Sequence, residues 1–286
     1  MSNERKIYSI KSDSLSKYKT SHYFENYGEI KSLDDYQYYI EWARQNNKKV
    51  YILGNGSNTL FTRKNIKSLV LKNSLPEEIK CISKEDNLYY ISSRVMMNQV
   101  LSFCYKNSLE SFYFLSSVPA TIGGALAMNA GEGKKINKSI YDYVESVTYI
   151  DSDHSIKEIN RRDMIIDYRK TMFTGCHDKL IVGAIFRFPK NDFGEGNPIK
   201  DRLKWSKAYQ DNIAPNCGSV FLQGNYYIFK LLRGLKIGKT QYSSKTTNWI
   251  NNKSSGPLPI LILIFITRLI HFIFFSKCKI ELISVK

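Results

Sequence analysis

Two glycine-rich segments contain residue types that bind phosphate groups. The first, Gly54-Asn55-Gly56-Ser57-Asn58-Thr59, directly follows the apolar run Val50–Leu53. Glycine permits positive φ, which lets backbone N–H groups converge on an anion, and the polar side chains add further donors. The pattern is not the GxGxxG of dinucleotide-binding βαβ folds, and no helical periodicity follows it. An anion-binding loop and an ordinary tight turn both fit this segment.

The second segment runs from Ser116 to Gly131 and is dominated by small residues after Pro119. Small side chains let a backbone pass within contact distance of a flat ligand. Gly123 and Gly124 open a short predicted helix, whose free N–H groups suit a pyrophosphate. A closely packed helix of small residues is the alternative.

Two single residues are candidates for direct chemistry. Arg169, between Tyr168 and Lys170, could hold a carboxylate or phosphate through paired hydrogen bonds. The alternative is a surface arginine at the end of a helix. Ser219 follows Gly218 and is a candidate hydroxyl acid or nucleophile, although Gly-Ser is also common in turns. It does not lie in a GxSxG nucleophile elbow.

Cysteine and histidine usage argues against disulfides and metal sites. The five cysteines are isolated and odd in number, which is typical of a reducing compartment. The four histidines are isolated too, so no metal site is predicted. The N-terminus lacks the apolar core of a signal peptide, and we expect a cytoplasmic protein. The residues concerned are Cys81, Cys104, Cys176, Cys217, Cys278, His22, His154, His177 and His271.

Composition indicates a folded, strongly basic protein. The 286 residues are 43% hydrophobic and 24% charged, which excludes a wholly disordered or fibrous chain. The formal net charge of +16 suits nucleotide phosphates, nucleic acid or anionic membranes. The basic residues are scattered and accompany no nucleic-acid-binding motif, so we do not expect nucleic-acid binding.

The periodicity of apolar residues predicts alternating helices and strands. Ser32 should cap a helix that buries Leu33, Tyr36, Ile40 and Ala43, and a second helix should span Met96–Tyr105. Strands are predicted at 50–53, 68–71, 79–82, 88–92, 144–150 and 180–188. The polar segment Pro189–Pro198 has the composition typical of a linker. We therefore predict an α+β domain over 1–190, with two subdomains divided near 70–75, and a smaller α+β domain over 200–286.

The segment Pro257–Phe275 is strongly apolar and allows two interpretations. Only Thr267, Arg268 and His271 interrupt it, and they fall on one side of a helix. This favours a buried helix with a narrow polar stripe. A membrane anchor or membrane-surface helix remains the alternative, because the apolar residues could offset one arginine.

Taken together and in order, four motifs resemble the UDP-N-acetylenolpyruvoylglucosamine reductase family. They are GNGSNTLF, SVPATIGGALAMNAG, YRKTMF and APNCGSVF, and the resemblance runs from about Leu15 to Asn252. It implies an FAD-binding domain of the vanillyl-alcohol-oxidase (PCMH) type plus a smaller C-terminal substrate domain. It also implies reduction of UDP-N-acetylglucosamine-enolpyruvate by NADPH, in peptidoglycan precursor synthesis, with FAD as cofactor and a UDP-sugar as substrate.

The resemblance also assigns roles by position. Arg169 would stabilise an enolate-like intermediate, with Tyr168 beside it at the substrate, and Ser219 would donate a proton to the substrate carbon. The residues that would bind FAD are Gly54, Asn55, Gly56, Ser57, Asn58, Thr59, Pro119, Thr121, Gly123, Gly124, Asn129, Ala130 and Gly131.

The C-terminus departs from the family pattern. The family has a glutamate in its last strand that works with the arginine, and alignment on Leu282 puts Val285 at that position. Glu281 could replace it only if the strand shifted by an even number of residues. Elsewhere, Ala120 replaces a glycine, and Leu222-Gln223-Gly224 replaces a lysine-containing triplet. Two alternatives therefore stay open: a flavin-binding relative with lost or altered activity, and a membrane-associated interaction protein. The oligomeric state is not predicted.

Overall fold

The computed structural model describes residues 6–133, 136–175 and 178–286. Cys176 and His177 lie outside the described residues, as do residues 1–5 of the N-terminal segment. The described chain contains both helices and mostly antiparallel strands, so the predicted α+β class is confirmed. The α-helices are α1 (Leu33–Gln45), α2 (Met97–Lys106), α3 (Ile122–Ala127), α4 (Pro198–Tyr209), α5 (Tyr226–Leu231) and α6 (Leu258–Ile273).

All six predicted strands are observed, and the one predicted at 68–71 is longer, at residues 65–73. The strands are β1 (Tyr8–Ser12), β2 (His22–Ile30), β3 (Val50–Leu53), β4 (Thr59–Phe61), β5 (Asn65–Asn73), β6 (Ile79–Ser83), β7 (Leu88–Ser92), β8 (Gly131–Glu132), β9 (Lys138–Ser139), β10 (Val144–Ile150), β11 (Ile156–Asn160), β12 (Leu180–Arg187), β13 (Phe221–Gln223), β14 (Lys236–Ile237), β15 (Thr240–Tyr242), β16 (Ile250–Asn251), β17 (Lys279–Ile280) and β18 (Ile283–Val285).

Local sequence explains where the two predicted N-terminal helices lie. The Ser32 hydroxyl accepts from the Asp35 N–H, and the Asp35 carboxylate accepts from the Ser32 N–H, which forms a capping box for α1. This helix buries Tyr36 and Ala43 as predicted, together with Tyr39, whereas Leu33 and Ile40 are only partly buried. Helix α2 buries the predicted face, which consists of Met97, Val100, Leu101 and Cys104.

The described chain forms two compact units, each assembled from separate segments of the sequence. Unit 1 contains Gly28–Gly54 and Leu71–Lys204, and unit 2 contains Ile7–Tyr27, Asn55–Val70 and Trp205–Lys286. Long-range pairings explain why the N-terminal segments belong to unit 2: β4 pairs in parallel with β18, and the Asn252 amide donates to the Tyr18 carbonyl at 2.7 Å.

Unit 1 is built around an antiparallel sheet with the strand order β11-β10-β12-β7-β6. Helices α2 and α3 contribute to a core rich in aromatic residues, in which the Phe186 and Phe188 rings stack at 5.5 Å. A second sheet has the order β1-β2-β5-β3.

Unit 2 contains α5, α6 and the small sheet β14-β15-β16 around a separate core. Helix α6 corresponds to the apolar segment, but the predicted polar stripe on one side of it is wrong. Thr267 and His271 are fully buried, whereas Arg268 is exposed. The reason is that unit 2 offers hydrogen-bond partners to the two buried side chains. Among the described residues, no helix combines the length and apolar character needed to cross a bilayer.

Candidate active site

The first glycine of the GNGSNT loop lies against the second glycine-rich segment within unit 1. A Cβ added at Gly54 would lie 2.8 Å from Thr121 Oγ1 and 3.9 Å from Gly124 Cα. Thr121 caps α3, since its hydroxyl accepts from the Gly124 N–H at 3.3 Å. The two segments thus meet at positions without bulky side chains.

Two residues that sequence reasoning missed support this arrangement. The Lys72 ammonium donates to the Gly54 carbonyl and places a cation beside the loop. Ser93 is buried and packs against Gly123, where an added Cβ would lie 2.8 Å from Ser93 Cβ. A lysine inside the apolar strand β5 was the only available signal for Lys72, and Ser93 had none.

Asn129 links the end of the second segment to the YR motif. Its backbone is left-handed, with φ of 43°, and its amide donates to the Asp167 carbonyl at 2.8 Å. The side chain is 8% exposed, and its Oδ1 has no hydrogen-bond partner in the protein. A buried amide oxygen without a partner is costly, so a ligand that donates a hydrogen bond would stabilise this position.

The guanidinium of Arg169 is held by the backbone of the same segment. It donates to the Gly131 carbonyl at 2.8 Å and to the Asn129 carbonyl at 3.4 Å, and its Cζ lies 5.7 Å from the centroid of the Tyr168 ring. Asp167 and Lys170 exchange backbone hydrogen bonds around this turn, and Arg169 has a φ of 55°. Its side chain is therefore a half-buried, positioned cation rather than a mobile surface arginine.

Gly131 and Glu132 continue the segment into a short hairpin. A Cβ on Gly131 would lie 2.3 Å from the Lys138 carbonyl oxygen, so only glycine fits this approach of β8 to β9. Glu132 forms an ion pair with Arg202 at 2.6 Å, with both side chains at most a quarter exposed. Sequence reasoning did not identify this pair, because its members are 70 residues apart.

The rest of the GNGSNT loop belongs to unit 2, where it lies beside the C-terminal strands. Asn58 donates from its amide to the Glu281 carbonyl at 3.3 Å and accepts from the Ile283 N–H at 3.0 Å. The Glu281 N–H in turn donates to the Val220 carbonyl at 2.9 Å. Glu281 is therefore next to both the loop and the Gly218-Ser219 turn within one unit.

The Gly218-Ser219 turn is anchored by its neighbours in unit 2. Gly218 has a φ of 72°, and its N–H donates to the Asn216 side chain, while Ser219 bridges to Trp249. Cys217 is buried, with its Sγ 3.7 Å from the Gly56 and Thr59 carbonyls. Burial raises the pKa of this thiol to about 11, so it is protonated at neutral pH and acts as a packing group.

The residues named from the sequence divide between the two units. Arg169 and Tyr168 lie in unit 1, and Ser219 lies in unit 2. Among the expected FAD-binding residues, unit 1 holds Gly54, Pro119, Thr121, Gly123, Gly124, Asn129, Ala130 and Gly131, and unit 2 holds Asn55, Gly56, Ser57, Asn58 and Thr59. No group of histidine, cysteine and acidic side chains suited to a metal ion occurs within residues 6–133, 136–175 and 178–286.

The chain is similar in sequence and in fold to known proteins. The family described as FAD binding domain matches residues 27–160. UDP-N-acetylenolpyruvoylglucosamine reductases from Clostridium tetani and Chlamydia felis are both 31% identical to the chain; the matches cover 79% and 83% of this chain and 73% and 81% of theirs. The crystal structure of the Thermus caldophilus enzyme superposes with a TM-score of 0.76 over 98% of this chain and 99% of that chain, at 15% identity, and so shares its fold. The glycine-rich contact at Gly54 and the unpaired Asn129 oxygen fit an FAD-binding domain. The chain belongs to the UDP-N-acetylenolpyruvoylglucosamine reductase family.

Proposed function

We propose that this chain reduces UDP-N-acetylglucosamine-enolpyruvate to UDP-N-acetylmuramate in peptidoglycan precursor synthesis, with NADPH as the reductant. The relatives from Clostridium tetani and Chlamydia felis carry the corresponding reductase name. The observation that carries the proposal is the position of Arg169, which two backbone carbonyls of the MNAG segment hold in place.

In the proposed reaction, one hydride and one proton add across the carbon–carbon double bond of the enolpyruvyl ether. FAD, held by residues of the two glycine-rich segments, would supply the hydride when bound, with NADPH as the reductant. As the hydride reaches the β-carbon, negative charge develops on the α-carbon and the adjoining carboxylate. The Arg169 guanidinium is a fixed cation suited to that charge, and such preorganised groups stabilise transition states strongly.

The proton that completes the reaction would come from the Ser219 hydroxyl. Serine is a weak acid, so it needs a neighbouring group that stabilises its deprotonated state or returns its proton. We assign this role to Glu281, whose N–H donates to the carbonyl of Val220, the residue after Ser219. Val285, at the family position of the glutamate, has a buried side chain in β18 beside β4. Glu281 is thus the better candidate for the family carboxylate.

The test is turnover by flavin-loaded protein. NADPH oxidation should depend on the enolpyruvyl substrate. Arg169→Lys should lower kcat by about 10²- to 10³-fold, and Ser219→Ala by about 10²- to 10⁴-fold. Glu281→Gln should lower kcat as well and leave the flavin spectrum unchanged. Arg162→Lys is the matched control, because the Arg162 side chain is 84% exposed and pairs only with its neighbour Asp163 among the described residues.

The outcomes separate the proposal from its alternative. Flavin-loaded protein that turns over neither NADPH nor substrate would be a flavin-binding relative that has lost or changed the reaction. Equal rates for Arg169→Lys and the Arg162→Lys control would contradict the role of Arg169 even in an active enzyme.

We also propose a cytoplasmic location. Cys81, Cys104, Cys217 and Cys278 are all free thiols. Free thiols in this number are typical of a reducing compartment. Thiol titration of protein isolated under non-reducing conditions tests this, since oxidation of these residues to disulfides would contradict it.

A further inference from the structure

We propose that the outer side of α6 is a docking site for the surface of an anionic lipid bilayer, on which the protein lies without crossing it. The proposal rests on the apolar face, defined here as the exposed apolar side chains of α6 and of the two residues after it. These are Leu258, Phe265, Leu269, Phe272, Ile273, Phe274 and Phe275.

The apolar face consists of large side chains in contact with solvent. Phe265 is 64% exposed, Phe272 78% and Phe275 99%. Helix α5 packs beside α6 and adds Tyr226, Tyr227 and Leu231, which are also exposed. Single exposed apolar residues are ordinary, but a contiguous group of this size marks an interaction site.

Two buried polar side chains of α6, Thr267 and His271, prevent the helix from turning the apolar face inward. The fully buried Thr267 hydroxyl donates to the Leu263 carbonyl and contacts the Tyr242 hydroxyl. The buried His271 accepts from the Asn225 N–H through Nε2, at 2.9 Å, and its Nδ1 donates to the Thr267 carbonyl at 2.8 Å. Rotation would break these bonds and leave buried polar groups without partners. The packing of unit 2 therefore keeps the phenylalanines of the apolar face exposed to solvent.

The positive charge of residues 212–280 favours an anionic partner. Residues 212–280 contain no aspartate or glutamate, and their basic residues are Lys230, Arg233, Lys236, Lys239, Lys245, Lys253, Arg268, Lys277 and Lys279. Arg268 lies on α6 itself, and Lys277 and Lys279 follow it, all exposed. A second copy of the same face would bring like charges together, whereas an anionic lipid surface attracts them.

The length of the helix determines how it would lie. Helix α6 has 16 residues, which corresponds to about 24 Å at 1.5 Å per residue. The hydrocarbon core of a bilayer is about 30 Å thick. Aromatic and leucine side chains on one face with basic residues around them are typical of helices that lie in the plane of the membrane interface.

The experiment is sedimentation of flavin-loaded protein with vesicles of two compositions. We expect binding to phosphatidylcholine vesicles that contain phosphatidylglycerol, and much weaker binding to phosphatidylcholine alone. Phe265→Ser/Phe272→Ser/Phe275→Ser should lower the partition coefficient about tenfold or more, because three exposed aromatic rings no longer insert. Lys277→Glu/Lys279→Glu should lower it on anionic vesicles only, and added salt should reproduce that loss.

A control and three contrary outcomes keep the test decisive. Ile82→Ser/Ile156→Ser removes exposed apolar side chains of unit 1 and should bind vesicles as the wild type does. Circular dichroism and flavin content verify that each variant is folded. The proposal is overturned if the wild type does not bind anionic vesicles, or if the phenylalanine variant binds them equally well. It is also overturned if the wild type ignores vesicles and forms a dimer that the phenylalanine variant dissociates, since the face would then be covered by a second copy.

Discussion

Gly56 offers a direct test of how the GNGSNT loop is held, through the substitution Gly56→Ala. Gly56 has a φ of +66°, and an added Cβ would lie 2.2 Å from the Leu15 carbonyl oxygen. The Leu15 segment cannot easily withdraw, because the Lys17 N–H donates to the Gly56 carbonyl at 3.0 Å and the Ser16 hydroxyl donates to the Thr59 carbonyl at 2.6 Å.

The expected cost follows from two separate effects. A left-handed backbone costs a non-glycine residue about 1–2 kcal/mol. Forcing an extra methyl into a tightly packed position costs about 1–3 kcal/mol more. We therefore expect Gly56→Ala to lower the free energy of unfolding by about 2–5 kcal/mol.

Gly194→Ala is the matched control. Gly194 also has a positive φ, of +52°, but nothing lies within 4 Å of an added Cβ. This variant should lose only the backbone contribution, about 1–2 kcal/mol. Urea denaturation of both variants, with and without saturating FAD, measures the difference. Equal losses for the two alanine variants would refute the close approach of the loop to Leu15.

Three further predictions concern other buried groups. Burial lowers the pKa of His22 below its unfolded value of about 6.5. Because the unfolded state binds the proton more readily, the free energy of unfolding should fall as the pH drops through this region. His22→Gln should weaken that pH dependence, as measured by denaturation at a series of pH values. The pKa of Cys217 is about 11, so at pH 8 only about one Cys217 thiol in a thousand is ionised. Ellman's reagent should therefore modify the exposed Cys81 much faster than the buried Cys217 in native protein. Equal rates at the two thiols would contradict the burial of Cys217. Asn252→Ala should lower the free energy of unfolding by about 2 kcal/mol or more, because it removes the donor to the Tyr18 carbonyl in a buried site. A melting temperature equal to that of the wild type would contradict this.

Local pattern predicted the elements well where side-chain periodicity and capping act over a few residues. The Ser32 cap, the buried face of α2 and strands such as Val50–Leu53 are of this kind. The orientation of α6 could not be predicted in this way. Its inward side depends on Tyr242 and Asn225, which lie 25 and 46 residues away and satisfy Thr267 and His271.

The candidate site shows the same contrast. Residue types and their order along the chain sufficed to name Arg169, Ser219 and the two glycine-rich segments, because backbone freedom, donor groups and charge are properties of the residues themselves. Their positioning depended on contacts between distant segments: Arg169 is held by the Gly131 carbonyl, 38 residues away, and Glu281 is placed beside Asn58, 223 residues away. Such pairings depend on the three-dimensional course of the chain. The order of the residues therefore sufficed to propose the chemistry of the site. The proposal of Glu281 over Val285 and the outward direction of the apolar face required the folded chain, in which remote hydrogen-bond partners decide which side chains are buried.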